Sequence, residues 1–140
     1  MVLATTNCPW DLDEAMRRRL EKRIYIPLPD LTARAELFGI CLRTVHCAVD
    51  VNPRALARYT EGYSGADIHL VCREAAMMPM RALLTRYSPG QISSMKASQD
   101  LDIPPVTWND FEEAIRNTKP SVSAAYLNRY NEWDMKYGSK

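Results

Sequence analysis

The spacing of hydrophobic residues predicts a mainly helical chain. From residue 30 onward, apolar side chains recur in successive segments at the 3.6-residue period of an α-helix. Each segment follows a residue that can accept hydrogen bonds from the first free amides of a helix: Asp30, Asn52, Ser64, Thr107 and Ser123. Ser64 with Asp67, and Thr107 with Asp110, also have the spacing of a capping box. The pattern therefore predicts helices that begin just after these five positions.

Proline and glycine residues mark the expected interruptions. Segment 87–106 is rich in polar residues and has prolines near both of its ends and a glycine near its start. This composition predicts a loop. Pro79 lies inside the long helix that begins at Ser64, and we expect it to kink that helix because proline has no N–H to donate. Gly62 and Gly138 are expected to end the helices that precede them.

The first 29 residues have a different pattern. The apolar run 2–5 and the β-branched, aromatic run 23–28 predict two strands, with a short helix over about 12–20 between them. Strand, helix, strand is the order of a parallel crossover. A parallel sheet must be covered on both faces and needs further strands. We therefore expect residues 1–29 to be the last part of a larger α/β domain.

Composition narrows the class of protein. The chain has 140 residues, 46% hydrophobic and 25% charged, with a net charge of +1, as in a single globular domain. This charge gives no general attraction to nucleic acid, and no apolar run is long enough for a membrane span. The four cysteines show no CxxC spacing, and Cys41, His46 and Cys47 lack a fourth zinc ligand nearby. We interpret the cysteines as reduced thiols of an intracellular protein.

Positive charge is nevertheless concentrated in one short stretch. Five of the seven residues from Arg17 to Arg23 are basic and one, Glu21, is acidic. Taken alone, such a run is typical of a solvated helix face.

Four motifs in order give this stretch a context: TTN at 5–7, DEAMRRRLEKRIYIPLPD at 13–30, GYSGADIHLVCREAA at 62–76 and SVSAAYLNRYNEW at 121–133. Together they resemble the AAA ATPases of the meiotic clade, and within it the katanin-like microtubule-severing proteins. The resemblance implies a mainly α fold in three parts. Residues 1–29 would be the last two strands and short helix of a parallel α/β nucleotide-binding domain. Residues 30–118 would be the helical lid, with the loop near 87–106, and residues 119–140 the C-terminal helix.

The resemblance also implies roles for five residues. Arg18 and Arg19 align with arginines that reach the nucleotide of the neighbouring protomer, whereas Arg17 falls where some relatives have an apolar residue. Asn7, at the end of the first predicted strand, would orient the attacking water or contact the γ-phosphate; its alternative role is to start a turn before Pro9. Gly65 and Ala66 would let the backbone approach the adenine and ribose closely; alternatively they only begin a helix.

The implied cofactor is ATP, with Mg²⁺ held by the N-terminal part of such a protein. The 140 residues contain neither a GxxxxGK[ST] phosphate loop nor an acidic pair after an apolar strand, so we expect this chain alone to be inactive. The implied partners are other protomers of an ATPase ring and tubulin or microtubules, with no nucleic acid, at a cytoplasmic, cytoskeleton-associated location. Two alternatives stay open: a vacuolar-sorting relative that disassembles membrane-remodelling filaments, and a catalytically inactive helical interaction module.

Overall fold

The computed structural model describes residues 2–97 and 102–139. Within these ranges the chain forms seven α-helices and two short 3₁₀ turns, Pro9–Asp11 and Leu42–Thr44. The helices are α1 (Glu14–Arg19), α2 (Leu31–Cys41), α3 (Pro53–Tyr59), α4 (Gly65–Arg86), α5 (Pro89–Ala97), α6 (Trp108–Asn117) and α7 (Ala124–Tyr137). The prediction of a mainly α fold is confirmed.

The chain divides into two compact units, which we describe separately. The central unit comprises Leu28–Ser121 and holds helices α2 to α6. The terminal unit comprises the residues up to Pro27 together with those from Val122 onward, and it holds α1 and α7.

Predicted capping residues begin four of the five helices of the central unit. The Asp30 carboxylate accepts a hydrogen bond from the Ala33 amide at 2.8 Å, and the Asn52 side chain accepts one from the Arg54 amide at 2.9 Å. Complete capping boxes form at Ser64 and at Thr107. After α3, Gly62 takes a φ of +78°, a left-handed conformation that favours glycine. Local sequence signals therefore set where four of these helices begin and where the chain turns after α3.

The core of the central unit lies where α2 packs against α3 and α4, and where α4 packs against α6. Five of its large apolar side chains are completely buried: Phe38, Leu56, Ile68, Val71 and Phe111. A buried arginine also joins α2 to α3 through hydrogen bonds. The Arg34 guanidinium on α2 donates to the Ala57 carbonyl on α3 at 3.1 Å from both Nε and Nη2. The same side chain donates to the Pro29 carbonyl at 2.9 Å, which fixes the direction in which the chain enters α2.

The prediction of a loop over 87–106 was wrong for its first half. Residues Pro89–Ala97 form α5 because Ser88 and Gln91 make a capping box: the Ser88 amide donates to the Gln91 side chain at 2.9 Å, and the Gln91 amide to Ser88 Oγ at 3.4 Å. Pro89 occupies the first helical position, where its missing N–H costs nothing. Among the described residues of this region, irregular backbone is found at 87–88 and again at 102–106, before α6. Residues 98–101 lie outside the described ranges.

The two predicted strands are not part of a sheet in the described residues. Segments 2–5 and 23–28 have no ladder partner, and one isolated parallel bridge, between Cys47 and Val106, is the extent of β-pairing in the described ranges. A strand is defined by its hydrogen bonds to neighbours, so an extended segment without neighbours does not become one. The predicted helix between them exists as the six-residue α1, and α4 runs through Pro79 without ending.

Candidate functional site

Helix α1 places three arginines of the basic stretch in its last turn. Asp13 begins the helix by accepting a hydrogen bond from the Met16 amide at 2.7 Å. Arg17, Arg18 and Arg19 then complete it. Basic side chains at this end of a helix are favourable because the unpaired carbonyls there carry partial negative charge.

Two members of the basic stretch serve the terminal unit itself. Arg17 is half-buried, donates to the Leu12 carbonyl at 2.6 Å and lies over the Tyr137 ring at 5.1 Å from the centroid. Arg23 is also half-buried, and its guanidinium donates to the Arg17 carbonyl at 3.3 Å. The contact of Arg17 with Tyr137 packs α1 on the end of α7, and both guanidiniums are engaged within the terminal unit.

Arg18 and Arg19 are instead exposed. Arg18 makes an ion pair with Glu14 one turn earlier, at 2.6 Å, between side chains that are 78% and 69% exposed. An exposed pair of this spacing contributes only about 0.3–0.5 kcal/mol, so releasing Arg18 to a phosphate costs little. Both guanidiniums are therefore available to a ligand that approaches from outside the chain.

An open groove of about 600 Å³ runs beside Arg17, Arg18 and Arg23. Its lining belongs entirely to the terminal unit: Glu14, Arg17, Arg18, Glu21, Arg23 and Tyr137. The lining has three guanidiniums and two carboxylates, so this surface is locally cationic although the whole chain is nearly neutral.

Asn7 is an exposed residue just before the 3₁₀ turn Pro9–Asp11. Its side-chain amide makes no hydrogen bond to the part of the chain that the structure describes. The neighbouring backbone is held, since the Cys8 amide donates to Thr6 Oγ1 at 3.0 Å and the Tyr130 hydroxyl donates to the Asn7 carbonyl at 2.5 Å. The position of Asn7 before this turn is compatible with a role in starting it. The free amide group is compatible with a contact to the attacking water or the γ-phosphate.

Gly65 and Ala66 are the first two residues of α4, and both are exposed. The first amides of a helix have no partner within the helix, so they can donate to a ligand. A Cβ added at Gly65 would come no closer than 3.9 Å to Leu37, an ordinary contact. The packing of the chain therefore does not require glycine here, whereas a ligand close to the backbone would.

Asp67, in the first turn of α4, joins two distant segments of the central unit, which sequence reasoning did not predict. Its Oδ2 accepts hydrogen bonds from the Ser64 amide and hydroxyl, both at 2.8 Å, and from the Ser121 amide and hydroxyl at 3.2 and 3.1 Å. Burial alone would raise the pKa of Asp67, but these hydrogen bonds outweigh it and hold the pKa below its usual value. The start of α4, with Gly65 and Ala66, is thus fixed to the segment that leaves α6.

We expect Asp67→Asn to lower the free energy of unfolding by about 1–3 kcal/mol at pH 7, because four hydrogen-bond donors lose a charged, buried acceptor. Since the pKa of Asp67 is depressed in the folded state, this stabilisation is present above the unfolded pKa of about 3.9 and is lost as the pH falls through the lower, folded value. The difference in free energy of unfolding between wild type and variant should therefore become smaller in acid. Urea unfolding at several pH values measures this difference.

Asp110→Asn is the matched control. Asp110 Oδ2 accepts only from the Thr107 amide and hydroxyl among the described residues, at 2.7 and 2.8 Å, so its replacement should cost less than that of Asp67. Equal losses at the two positions would mean that the Ser121 contacts contribute nothing.

The described cysteines and histidines are not grouped as metal ligands. No group of three or more His, Cys, Asp or Glu side chains suited to a metal ion occurs in residues 2–97 and 102–139. Cys41 Sγ lies 3.8 Å from His69 Nδ1, and Cys72 is buried. Burial and the nearby thiol of Cys41 raise the pKa of Cys72.

In residues 2–97 and 102–139, no helix has the length and apolar character to cross a bilayer.

Two protein families match parts of this chain. Residues 50–113 match the AAA+ lid domain, and residues 90–138 match the Vps4 C terminal oligomerisation domain. The first match falls within the central unit, and the second extends through α7.

Curated relatives match almost every residue. The katanin p60 ATPase-containing A-like 1 protein of Danio rerio is 54% identical over 139 residues, which are 99% of this chain and 28% of that protein. The katanin p60 ATPase-containing A1 protein of Arabidopsis thaliana is 52% identical over 99% of this chain and 26% of that protein. The chain belongs to the katanin-like AAA ATPases of the meiotic clade. It corresponds to a C-terminal portion of them and spans little more than a quarter of the length of these relatives.

Solved structures agree with this assignment to the katanin-like family. The crystal structure of the FIGL-1 AAA domain superposes with a TM-score of 0.80 at 38% identity, over 96% of this chain and 43% of that one. The same domain has been solved in complex with ADP, with a TM-score of 0.81. A structure that describes the structural basis for katanin self-assembly has a TM-score of 0.75 at 39% identity, over 91% of this chain and 44% of that one. The predicted fold class, built on a helical AAA lid, is confirmed.

Proposed function

We propose that this chain is part of a longer protein, here called the parent protein, that also contains a phosphate loop. The parent protein would hydrolyse ATP in a ring of like protomers and use that hydrolysis to sever microtubules. This chain would contribute the lid and the arginines that act on the nucleotide of the next protomer. The exposure of Arg18 and Arg19, in contrast to the internally bonded Arg17 and Arg23, is the observation that carries the proposal.

The chemistry of phosphoryl transfer explains why arginine suits this role. Negative charge spreads over the γ-phosphate oxygens as the bond to the leaving group breaks, and a guanidinium from another protomer can neutralise it. Arginine stays charged at any physiological pH and presents a planar fork of donors. Arg18 and Arg19 meet both needs, and within the described residues the ionic contact of Arg18 is a weak, exposed one to Glu14.

The other three candidate residues would act on the nucleotide bound by their own protomer. The free amide group of Asn7 can donate to a phosphate oxygen or accept from the attacking water. The amides of Gly65 and Ala66 open a long helix, and the space beside Gly65 admits a ligand close to the backbone. Each of these groups is of a kind that binds a nucleotide. Mg²⁺ would accompany the nucleotide and would be held by the N-terminal part of the parent protein.

The partners follow from the relatives. A structure of katanin self-assembly and the match to an oligomerisation domain support a ring of like protomers, and the katanin relatives support tubulin as the substrate and a cytoskeletal location. The match of residues 90–138 to the Vps4 C terminal oligomerisation domain favours a second candidate, a vacuolar-sorting ATPase that disassembles membrane-remodelling filaments. The two candidates share the arginine chemistry and differ in substrate.

The test compares the 140-residue chain with the parent protein. We expect no ATP turnover above background from the chain alone, because it contains no phosphate loop. The parent protein should hydrolyse ATP and cut fluorescent microtubules viewed by microscopy, and it should do neither with a non-hydrolysable analogue. Turnover by the isolated chain that Arg18→Ala abolishes would reveal a different active site. ATP turnover without severing would favour the second candidate.

A further inference from the structure

The aromatic face of α7 packs on the segments before and after α1 within the terminal unit. The Tyr130 ring lies between two others: it is 5.1 Å from Trp10 and stacks on Tyr25 at 5.8 Å with an interplanar angle of 17°. Arg129, the preceding residue, places its guanidinium 3.9 Å from the Trp10 ring centroid. These contacts fix the direction of the Tyr130 side chain without involving its hydroxyl.

The hydroxyl of Tyr130 makes a specific contact of its own. It donates to the main-chain carbonyl of Asn7 at 2.5 Å, across 123 residues of sequence. The next amide, that of Cys8, is held by Thr6 Oγ1 at 3.0 Å. The peptide unit of Asn7 is thus held on both sides while its side-chain amide stays free of the described chain. This is the arrangement expected where a side chain must be aimed at a ligand.

We propose that Tyr130 is a positioning residue that orients Asn7 toward the attacking water or the γ-phosphate. The proposal rests on the function given above for Asn7 and adds a residue from α7 to that site. Packing of the aromatic face requires only the ring, which phenylalanine would also supply. The hydroxyl serves the Asn7 carbonyl, so Tyr130→Phe isolates the positioning contact from the packing.

Tyr130→Phe in the parent protein should lower kcat for ATP by roughly two- to tenfold, the range expected when one hydrogen bond is lost. KM for ATP should stay within about twofold, because substrate binding would draw on the phosphate loop and α4 more than on Asn7. The control is Tyr126→Phe. Tyr126 lies on the same face of α7, 5.9 Å from Trp10 and half exposed, and its hydroxyl makes no hydrogen bond to the described residues. That variant should match wild type.

A double variant separates positioning from general stabilisation. We expect Asn7→Ala alone to reduce kcat by about a hundredfold or more, as for loss of one preorganised hydrogen-bonding group at the reacting atoms. If Tyr130 acts through Asn7, then Tyr130→Phe should have no further effect in the Asn7→Ala background. A purely structural role would lower kcat by the same factor in both backgrounds. Sedimentation and thermal unfolding would establish that all variants assemble and fold equally.

The outcomes distinguish this inference from the proposed function. Unchanged kcat in Tyr130→Phe, or an equal loss with and without Asn7, would overturn the positioning role while leaving Asn7 and the arginines in place. Full activity of Asn7→Ala, with loss of activity in Arg18→Ala, would overturn both the role of Asn7 and that of Tyr130. Full activity in both Asn7→Ala and Arg18→Ala would overturn the proposed site as a whole.

Discussion

Replacing Arg18 or Arg19 by alanine in the parent protein is expected to lower ATP turnover by about a thousandfold or more, as for arginine fingers supplied by a neighbouring protomer. The loss is large because the guanidinium acts on charge that develops only in the transition state. Affinity of each variant for ATP should change little, since these arginines would serve the next protomer's nucleotide. Steady-state turnover and binding of a fluorescent ATP analogue measure the two quantities separately.

Arg17→Ala is the matched control for these variants. It removes the same charge from the same turn of α1, but the guanidinium of Arg17 is engaged with the Leu12 carbonyl and the Tyr137 ring. We expect a modest loss of stability, about 1 kcal/mol for the hydrogen bond, and turnover far closer to wild type. An equal loss of turnover at all three arginines would show that net positive charge matters and that no individual arginine is a finger.

Phe38→Ala is expected to destabilise the central unit by about 3–5 kcal/mol. Phe38 is completely buried in the core, so its removal loses apolar burial and leaves a cavity that the helices close only in part. Domains are typically stable by about 5–15 kcal/mol, so this one change removes a large share of the stability. The urea midpoint of the 140-residue chain, followed by helical circular dichroism, should fall by about 1–3 M.

Ile40→Ala on the same helix is the control for Phe38→Ala. Ile40 is 56% exposed, so its truncation should change the free energy of unfolding by about 0.5 kcal/mol or less. Similar midpoints for the two variants would contradict the assignment of Phe38 to the core.

The starts of the helices could be predicted because the residues that decide them are close in sequence. Asp30, Asn52, Ser64 and Thr107 each bind amides within three residues of themselves. The same signal was present at Ser88 with Gln91, where the prolines and glycine of that region led us to predict a loop instead. Pro89 is compatible with a helix because it occupies the first helical position.

Local pattern alone could not show whether the two predicted strands would form. Residues 2–5 and 23–28 have the composition of strands, but whether such a segment joins a sheet depends on neighbours that supply hydrogen bonds.

Within the candidate site, the sequence identified the basic stretch but could not divide it. Arg17 and Arg18 are adjacent in sequence, and only tertiary contacts with Tyr137 and Leu12 give them different roles. The contacts of Asp67 with Ser121 and of Tyr130 with Asn7 span 54 and 123 residues. No local spacing predicts contacts at such separations.

The measurement that tests the trans role most directly is a mixing experiment. One parent protein carries Arg18→Ala together with Arg19→Ala, and the other lacks the lysine of its phosphate loop. Each alone should be inactive, since the first lacks the fingers and the second cannot bind ATP productively. When the two are mixed, the intact arginines of the second face the intact nucleotide pocket of the first, and ATP turnover should reappear. Two results would show that Arg18 and Arg19 do not act across protomers. The first is an inactive mixture in which sedimentation shows that the two proteins co-assemble. The second is hydrolysis of ATP at the wild-type rate by the arginine variant alone.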